Sequence, residues 1–482
     1  MHRAKIVTAT LYKYSYKRYT IPALQDGLTK TIEDMPRPKE LPVIGTRLEL
    51  WTAGSQTKLH EYINSRHKQL GPIFCEKIHG KTKLVFVSDP ALIKSLFMNL
   101  EGKYPLHILP EPWLLYEKLY GSKRGLFFMN GEEWLKNRRI MNKYLLKEDS
   151  ENWLIKPIKS PIEKFISLWR SKSKTEDFVP NLECDFYRLS TDVTIQILLG
   201  TKESFVQSKY YDDLLNLFSE SVKKIFKTTT KLSGYPIELC QQFNLKVWRD
   251  FRECVDMSTN LARKIVKEIL NKKQESDGLI SKLCNENISD EDVTKIVADF
   301  VIAAGDTTAY TTLWILFVLS RHPEVIRELR SKEKKHVQFV IKETMRLFPV
   351  APFLTRILTK ESILGQYKLN AETPVVASIY TSGRDEQNFS EADKFLPYRW
   401  DRYDPRKQDL ANHVPSASLP FAMGARSCIG KKIALLQLTE VIHQIVENFD
   451  LECINASAVA PIMSQVLVPN KDINLKVSRR KD

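Results

Sequence analysis

One long helical segment near residue 300 restricts the possible folds more than any other feature of this chain. Ser289, followed three residues later by Asp292, is a helix-capping signal. Apolar residues then recur at helical spacing from Val293 to Leu319, and Pro323 ends the pattern. A helix of about thirty residues would be roughly 45 Å long, the width of a whole domain. We therefore expect it to pass through the interior of one large body.

The rest of the chain predicts a single, mainly α-helical domain with small β-sheets. No stretch of about twenty uncharged apolar residues occurs, so a membrane-spanning helix is not expected. No internal repeat or low-complexity linker follows residue 46. Further helices are predicted over Glu132–Leu146, Trp153–Ser171, Cys184–Leu199 and Tyr211–Lys227, and short strands over Val85–Val87 and Pro374–Ile379.

The centre of the long helix, Ala303 to Thr308, has an unusual composition for a helix interior. Its glycine lowers helix stability, and Asp306 would be costly to bury without a partner. Two interpretations are open at this point. The segment is either a tight helix crossing in which Asp306 pairs with a basic residue, or small side chains make room for a flat ligand. In the second case Asp306 and Thr307 would handle protons beside that ligand.

One cysteine lies in a loop whose composition indicates ligand binding. The chain has seven cysteines without a CxxC pair, so neither a disulfide framework nor a zinc cluster is predicted. Cys428 lies within Phe421–Gly430, just before a predicted helix over Lys431–Val446. Free N–H groups at that helix start are expected to lower the thiol pKa and give a thiolate. Arg426 suits an anionic group on the same ligand. The spacing Phe-x-x-Gly-x-Arg-x-Cys-x-Gly favours a ligand role over that of an apolar filler.

This loop resembles the haem-binding loop of the cytochrome P450 family, and the resemblance extends over residues 35–482. It implies the P450 fold, with haem b as cofactor and the Cys428 thiolate as the ligand of the iron. It also implies cofactor-binding roles for side chains or backbone at several positions. These are Trp134 and Arg138 of a Trp-x-x-x-Arg motif, Arg356, and within the loop Phe421, Arg426 and Gly430.

Two further motifs of the family are present. Glu343 and Arg346 form its Glu-x-x-Arg pair on one helix face, and the resemblance implies that Arg399 completes a buried structural triad. Asp306 and Thr307 resemble its acid–alcohol pair, which implies that they are catalytic residues that deliver protons during O2 activation. Their presence argues against a haem-thiolate isomerase that needs no redox partner.

The N-terminal segment indicates import into mitochondria. The first 30 residues contain six Lys or Arg against one acid, Asp26, and are rich in Thr and Tyr. This composition is typical of a transit peptide, which we assign to residues 1–34; the alternative is a disordered basic tail. The segment Met35–Gly45 then predicts an extended linker, because three prolines in seven residues exclude a helix.

The charge of the chain indicates an anionic neighbour. Its 73 Lys and Arg exceed its 58 Asp and Glu by 15, while no nucleic-acid-binding motif occurs. The resemblance is to the mitochondrial class of P450s. It implies an acidic ferredoxin with its NADPH-dependent reductase, peripheral association with the inner membrane and a place on its matrix side. Lys342, Lys431 and Lys432 match basic positions of that class, whereas Gln338 and Leu435 depart from its pattern.

Several segments, among them Met35–Gly45 and Arg66–Phe74, resemble the arthropod ecdysteroid 2-hydroxylases. This implies that the chain uses O2 to hydroxylate a steroid, at carbon-2 of 2-deoxyecdysone to give ecdysone. The alternative is another mitochondrial steroid hydroxylase, such as an ecdysteroid 22-hydroxylase. Family position places walls of the substrate pocket at Leu109–Trp113, Val350–Leu354 and Met463–Val466.

Overall fold

The computed structural model describes residues 29–480, apart from residues 43, 79–81, 122–124, 148, 175, 201–208, 233–234, 272–276 and 287. Residues 1–28, which make up most of the predicted transit peptide, lie outside the described residues. Helices form most of the described body. They are α1 (Arg47–Thr52), α2 (Leu59–Leu70), α3 (Pro90–Ser95), α4 (Glu111–Tyr120), α5 (Gly131–Leu145), α6 (Ser150–Lys172), α7 (Leu182–Leu199), α8 (Lys209–Leu232), α9 (Ile237–Gln242), α10 (Lys246–Asn271), α11 (Leu279–Cys284), α12 (Asp290–Leu319), α13 (Pro323–Ser331), α14 (Val337–Leu347), α15 (Ile379–Ser382) and α16 (Lys431–Asn448).

The strands form small sheets at the edges of the helical body. They are β1 (Lys30–Thr31), β2 (Ile73–Glu76), β3 (Leu84–Val87), β4 (Phe353–Ile357), β5 (Ser362–Leu364), β6 (Tyr367–Leu369), β7 (Pro374–Ser378), β8 (Phe449–Cys453), β9 (Pro461–Ser464), β10 (Val466–Pro469) and β11 (Leu475–Arg479). The largest described sheet has the order β2-β3-β7-β4, with β3 and β7 parallel; the others are β1-β6-β5, β9-β10 and β8-β11.

The long helix α12 confirms the prediction that an apolar segment crosses the interior. Its cap is the predicted one, because the Ser289 side chain accepts a hydrogen bond of 3.1 Å from the backbone N–H of Asp292. Among the described residues α12 is long and apolar enough to cross a membrane, but 83% of its most apolar window is buried inside the protein. It therefore serves as a core helix.

One large apolar cluster joins α12 to α5, α6, α7, α14 and α16. Trp314 of α12 is fully buried and stacks on Phe348, with ring centroids 4.5 Å apart. Its indole N–H donates to the Leu467 carbonyl over 3.0 Å, which ties the helix to β10. Each large apolar side chain buried in this way contributes about 1.5–3 kcal/mol. The interior of the domain is therefore built around the helix whose centre was singled out in the sequence.

The N-terminal part of the described body is more closely packed than the sequence predicted. Lys30 and Thr31 pair with β6, so the predicted boundary between residues 34 and 35 falls just inside the folded body. The predicted linker is extended, but Met35 is buried and the Pro36 carbonyl accepts a 3.0 Å hydrogen bond from the Cys75 N–H. This segment is packed against β2.

Candidate active site

The shape of the loop that carries Cys428 is fixed by its own backbone. The Cys428 N–H donates to the Phe421 carbonyl over 2.9 Å. Gly424 has a φ of 79°, and a side chain there would collide with the Phe97 carbonyl, so glycine is required. A Cβ on Gly430 would lie 3.9 Å from the Cys428 sulfur, and Phe421 packs half-buried against the main core. The loop thus presents a thiol beside glycine, at the start of α16.

The Cys428 thiol faces an internal space. Cys428 is exposed, yet the surrounding protein desolvates the thiol, and this burial raises its pKa. A backbone hydrogen bond at Gly430 and the charges of Arg138 and Lys431 lower that pKa but are outweighed. The expectation that the loop alone yields a thiolate is therefore wrong, because desolvation dominates. A bound metal cation would deprotonate the thiol outright.

The centre of α12 also has an open face. Ala303 and Thr307 are exposed although the residues around them are buried, and four residues separate them, which places both on one side of the helix. The Thr307 hydroxyl donates to the Ala303 carbonyl over 3.1 Å. Because α16 packs against α12, this open face belongs to the same part of the body as the Cys428 loop. The observation favours room for a ligand over a tight helix crossing.

Asp306 lies on a different face of α12 from Thr307. It is fully buried, and neither carboxylate oxygen has a hydrogen-bond partner in the structure. Burial, and then the charge of Glu183, raise the pKa of Asp306 well above its ordinary value of 3.8, so the carboxyl holds its proton at neutral pH. The predicted ion pair with a basic residue is not formed. The acid and the alcohol are adjacent in sequence but are not hydrogen-bonded to each other.

Buried arginines surround the Cys428 loop. Arg138 of α5 donates to the Ser427 carbonyl over 2.6 Å, and its Nε has no partner. Arg426 donates to the Pro105 carbonyl over 2.6 Å and lies 4.3 Å above the ring of the buried Trp134. Burial, followed by the charges of neighbouring arginines including Arg138, lowers the pKa of Arg426 to about 10. The predicted residues of α5 and of the loop are thus brought together.

Arg356 of β4 completes this group. Its Nε donates to the Glu101 carboxylate over 2.8 Å, and the other oxygen of Glu101 accepts from the Ala425 N–H over 2.7 Å. The Nη2 of Arg356 is buried without a partner. Glu101 was not identified from the sequence, because only the fold brings it to residues more than 250 positions away.

His107 was also missed by the sequence analysis. Its imidazole packs at a tilt of 56° against the Phe127 ring, with centroids 4.5 Å apart, and both ring nitrogens are buried without a hydrogen-bond partner. Burial, and then the charges of Arg426 and Arg356, lower its pKa to about 3, so it is neutral at physiological pH. A lone histidine in a loop carries no sequence signal of this position.

These residues fit a flat, dianionic cofactor. Buried Arg138 and Arg356, half-buried Arg426 and one buried glutamate leave a net charge of +2. The two buried arginines each carry one buried donor without a partner. Burying unpaired cations is costly, whereas carboxylates accept hydrogen bonds from arginine strongly. Two propionate carboxylates of haem b match the charge and the donors, and the accessible thiol matches the need for an iron ligand.

The predicted triad beside this loop is confirmed. One Glu343 oxygen accepts hydrogen bonds from Arg346 (2.8 Å) and Arg399 (2.9 Å), and the other accepts from Arg346 (2.9 Å) and Trp400 (2.8 Å). The first oxygen also accepts from the Leu396 N–H over 3.0 Å. All three charged side chains are buried, so the triad is structural.

A basic surface lies beside the loop, at the junction of α14 and α16. Burial, and then the charge of Lys431, lower the pKa of Lys342, which shows that these two exposed lysines are close. A neighbouring groove of about 310 Å³ includes Lys432 and the apolar side chains of Leu435 and Leu436. Gln338, one of the departures noted in the sequence, lines the same groove.

Comparison with known proteins identifies the family of the chain. The chain matches the family described as Cytochrome P450 over residues 35–477. It is 34% identical to Cytochrome P450 315a1, mitochondrial, of Drosophila melanogaster, over 96% of this chain and 92% of that protein. The cholesterol side-chain cleavage enzyme, mitochondrial, of Ovis aries is 30% identical, over 91% and 89%. The 1,25-dihydroxyvitamin D(3) 24-hydroxylase, mitochondrial, of Rattus norvegicus is 27% identical, over 94% and 90%. The family and fold predicted from the sequence are confirmed.

Proposed function

We propose a function on the premise that the chain belongs to the cytochrome P450 family. It is a P450 monooxygenase with haem b as cofactor, and its relatives are mitochondrial enzymes that include steroid hydroxylases. The proposed reaction is hydroxylation of carbon-2 of 2-deoxyecdysone to give ecdysone. The observation that carries the proposal is the accessible Cys428 thiol inside a buried, arginine-rich site.

The proposed haem contacts follow from the charges of the site. Cys428 would ligate the iron, and the unpaired donors of Arg138 and Arg356 would bind the propionates together with Arg426. Trp134 would hold Arg426 in place through its ring face. Phe421 and Gly430 would shape the loop around the sulfur. The bound haem supplies the activation of O2, and thiolate ligation favours cleavage of the O–O bond.

The reaction consumes one O2, two electrons and two protons for each hydroxyl group formed and releases one water. Thr307 lies on the open face of α12, where its hydroxyl can hand protons to the reacting oxygen. Asp306 holds a proton at neutral pH because it is buried, so it can serve as the reservoir behind Thr307. The chain also orients the substrate and excludes bulk water, while the cofactor supplies the oxidation.

The steroid substrate is supported by the relatives and by apolar side chains near the site. Cholesterol side-chain cleavage enzyme and 1,25-dihydroxyvitamin D(3) 24-hydroxylase are named for sterol-derived substrates. Of the predicted pocket walls, Leu354 is half-buried and Val350 is buried in the main core. Trp113 is different, because its ring packs against Phe128 and Phe251 in a separate core cluster. We therefore omit Trp113 from the proposed pocket.

The proposed electron donor is an acidic mitochondrial ferredoxin, reduced by its NADPH-dependent reductase. The neighbouring positive charges of Lys342 and Lys431 lie on α14 and at the start of α16, directly after the Cys428 loop. A basic patch steers an acidic protein toward itself, and here the docked partner would lie close to the thiolate side of the haem.

We place the enzyme in mitochondria, on the matrix side of the inner membrane. All three relatives named above are mitochondrial, and the basic leader predicted for residues 1–34 agrees with import. Two exposed apolar groups support peripheral membrane association: Trp51, 70% exposed at the end of α1, and Phe243, 68% exposed after α9. Each has an exposed apolar neighbour at helical spacing, Leu48 (52% exposed) before Trp51 and Leu239 (50% exposed) before Phe243, and exposed apolar patches often mark membrane contacts.

Product analysis with defined ecdysteroids tests the proposal. The haem-loaded enzyme is incubated with 2-deoxyecdysone or with 2,22-dideoxyecdysone, together with ferredoxin, its reductase and NADPH. We expect a new hydroxyl at carbon-2 of both substrates. Hydroxylation at carbon-22 of the second substrate, with 2-deoxyecdysone unchanged, would identify the alternative 22-hydroxylase. Absence of a carbon-2 product from both substrates would refute the assignment.

A further inference from the structure

A second cavity, of about 380 Å³, reaches α12 one helical turn beyond Asp306. It is bordered by the start of α7, by α8 and by the β9–β10 hairpin, and Tyr310 of α12 lines it. At about 30 Å³ for each water it has room for on the order of ten. Its other polar lining includes Glu183, Lys227 and Asp472. The cavity therefore offers a hydrated approach to the centre of the long helix.

A hydrogen-bonded chain crosses the inner wall of this cavity. The Tyr310 hydroxyl donates to one Glu183 oxygen over 2.7 Å, and the Lys223 ammonium contacts the other over 2.6 Å. The side chains of Glu183 and Lys223 keep 15% and 24% of their exposure, so they can exchange protons with water. Tyr310 is buried and so is the inner member of the chain.

Asp306 lies at the inner end of this arrangement. Residues four apart share a helix face, so Asp306 and Tyr310 are neighbours along α12. The charge of Asp306 acts on Tyr310 and the charge of Glu183 acts on Asp306. Asp306 is fully buried with both oxygens unpartnered. An acid in this position needs a source of protons, and the described structure offers one through Tyr310.

We propose that Glu183 and Tyr310 are positioning residues of a proton route that leads from this cavity to Asp306. The inference rests on the proposed oxygenase function. In each cycle Glu183 takes a proton from water in the cavity. When Asp306 gives its proton toward Thr307, the Tyr310 hydroxyl gives its own proton to Asp306 and takes the one that Glu183 took up, so that all three groups return to their starting state. Two such cycles supply the two protons that one hydroxylation consumes.

The charged surroundings allow this direction of transfer. The Lys223 ammonium contacts Glu183 over 2.6 Å, while Lys227 and Asp472 line the same cavity. Burial, and then the charge of Glu183, raise the pKa of Tyr310 far above its ordinary value. The phenol therefore does not ionise and passes a proton only by receiving another.

The test uses the haem-loaded enzyme with Glu183→Gln and Tyr310→Phe. Both variants keep the size of the side chain but remove, respectively, the proton-accepting carboxylate and the hydroxyl. Tyr144→Phe is the matched control. Tyr144 lies elsewhere in the fold and also donates to a glutamate, Glu286, which is paired with a lysine. The readouts are product formed per NADPH, hydrogen peroxide released per O2, and the solvent deuterium isotope effect on turnover.

Both variants are expected to form roughly tenfold less product per NADPH. This loss is smaller than the factor of about 100 that loss of a proton-transfer group itself costs at least, because Asp306 remains. They should release correspondingly more peroxide and show a larger isotope effect, while the control matches the wild type. Product formation driven by iodosylbenzene, an oxygen-atom donor that needs neither electrons nor protons, should be unchanged.

Two results would overturn the proton route: wild-type coupling in both variants, or an equal loss with NADPH and with iodosylbenzene, which would indicate a purely structural role. If the wild type forms no steroid product with either oxidant, the proposed substrate fails. The route is then judged by the ratio of peroxide to water formed from O2, which is measured without product.

Discussion

Replacing Glu343 by glutamine should destabilise the protein strongly although the side chain keeps its shape. The carboxylate accepts five hydrogen bonds from buried donors, two of them from Arg346 and one from Arg399. An amide has one acceptor oxygen, so whichever way it is turned its NH2 group faces at least two N–H donors. The two arginines also lose the charge that neutralises them.

The structure sets the expected magnitude. Each buried donor left unsatisfied costs about 1–3 kcal/mol, and two of them cost about 2–6 kcal/mol. In other proteins, removing one partner of a buried ion pair lowers the free energy of unfolding by about 3–5 kcal/mol. We expect a loss of about 3–5 kcal/mol from a free energy of unfolding that is about 5–15 kcal/mol for a typical protein. Much of the Glu343→Gln variant should therefore fail to retain haem.

Urea unfolding of the haem-loaded protein, followed by haem absorbance and by helical circular dichroism, measures the effect. Trp400→Phe is the graded variant: it removes one donor to the carboxylate and should cost about 1.5–3 kcal/mol. Glu333→Gln is the control, because Glu333 and Lys335 form an exposed pair and exposed ion pairs contribute little to stability. Losses below about 1 kcal/mol in both Glu343→Gln and Trp400→Phe would refute the reasoning.

The same triad gives the stability a defined pH dependence. Burial alone would raise the pKa of Glu343, but hydrogen bonds and charges from Arg346, together with the charge of Arg399, lower it below its ordinary 4.5. Its contribution is therefore complete above pH 4.5 and is lost as the pH falls toward the lower pKa of the folded state. Glu343→Gln should lack this part of the acid sensitivity; an unchanged acid transition would contradict the assignment.

Four other substitutions test the site. Cys428→Ala should abolish the carbon-monoxide spectrum of thiolate-ligated haem, and a normal spectrum would exclude Cys428 as ligand. Thr307→Ala should keep haem but divert electrons to hydrogen peroxide; unchanged coupling would place proton delivery elsewhere. His107→Phe keeps the ring contact with Phe127 and removes two unpaired nitrogens, so the haem-free protein should gain stability in urea unfolding; a loss of stability would show that the nitrogens have partners. Lys431→Glu should raise the KM for ferredoxin several-fold, with iodosylbenzene-driven turnover unchanged; an unaffected KM would move the docking site.

Elements defined by local pattern were predicted closely. The cap at Ser289 and the helix it starts are where the sequence put them, because capping and apolar periodicity are properties of neighbouring residues. The strand predicted over Pro374–Ile379 ends one residue early, at Ser378, since Ile379 begins the short helix α15. Spacing also identified Glu343 and Arg346, whose separation of three fixes them on one helix face.

Interactions between distant segments were beyond the sequence. Glu101 reaches both Arg356 and the Ala425 N–H, and no local signal marks a glutamate that will meet residues from two later segments. Adjacent residues can also be misjudged. The sequence predicted that Asp306 and Thr307 act side by side, but each residue of a helix is rotated by about 100° from the one before it, so the two side chains lie on different faces. The direction of a side chain is decided by what packs on each face; α7 packs along α12, and its Glu183 raises the pKa of Asp306.

The wrong prediction that the loop alone lowers the thiol pKa of Cys428 has the same cause, because burial depends on distant segments. It also explains how the site is built. Loop N–H groups and a helix start are visible in the sequence and both lower a thiol pKa, but desolvation depends on the whole fold and here exceeds them. The arginines repeat this pattern, because burial lowers the pKa of Arg138, Arg356 and Arg426. A desolvated thiol and three desolvated arginines are each unfavourable alone. Iron would stabilise the thiolate and two propionates would neutralise the net +2 charge, so the cofactor removes costs that the polypeptide carries without it.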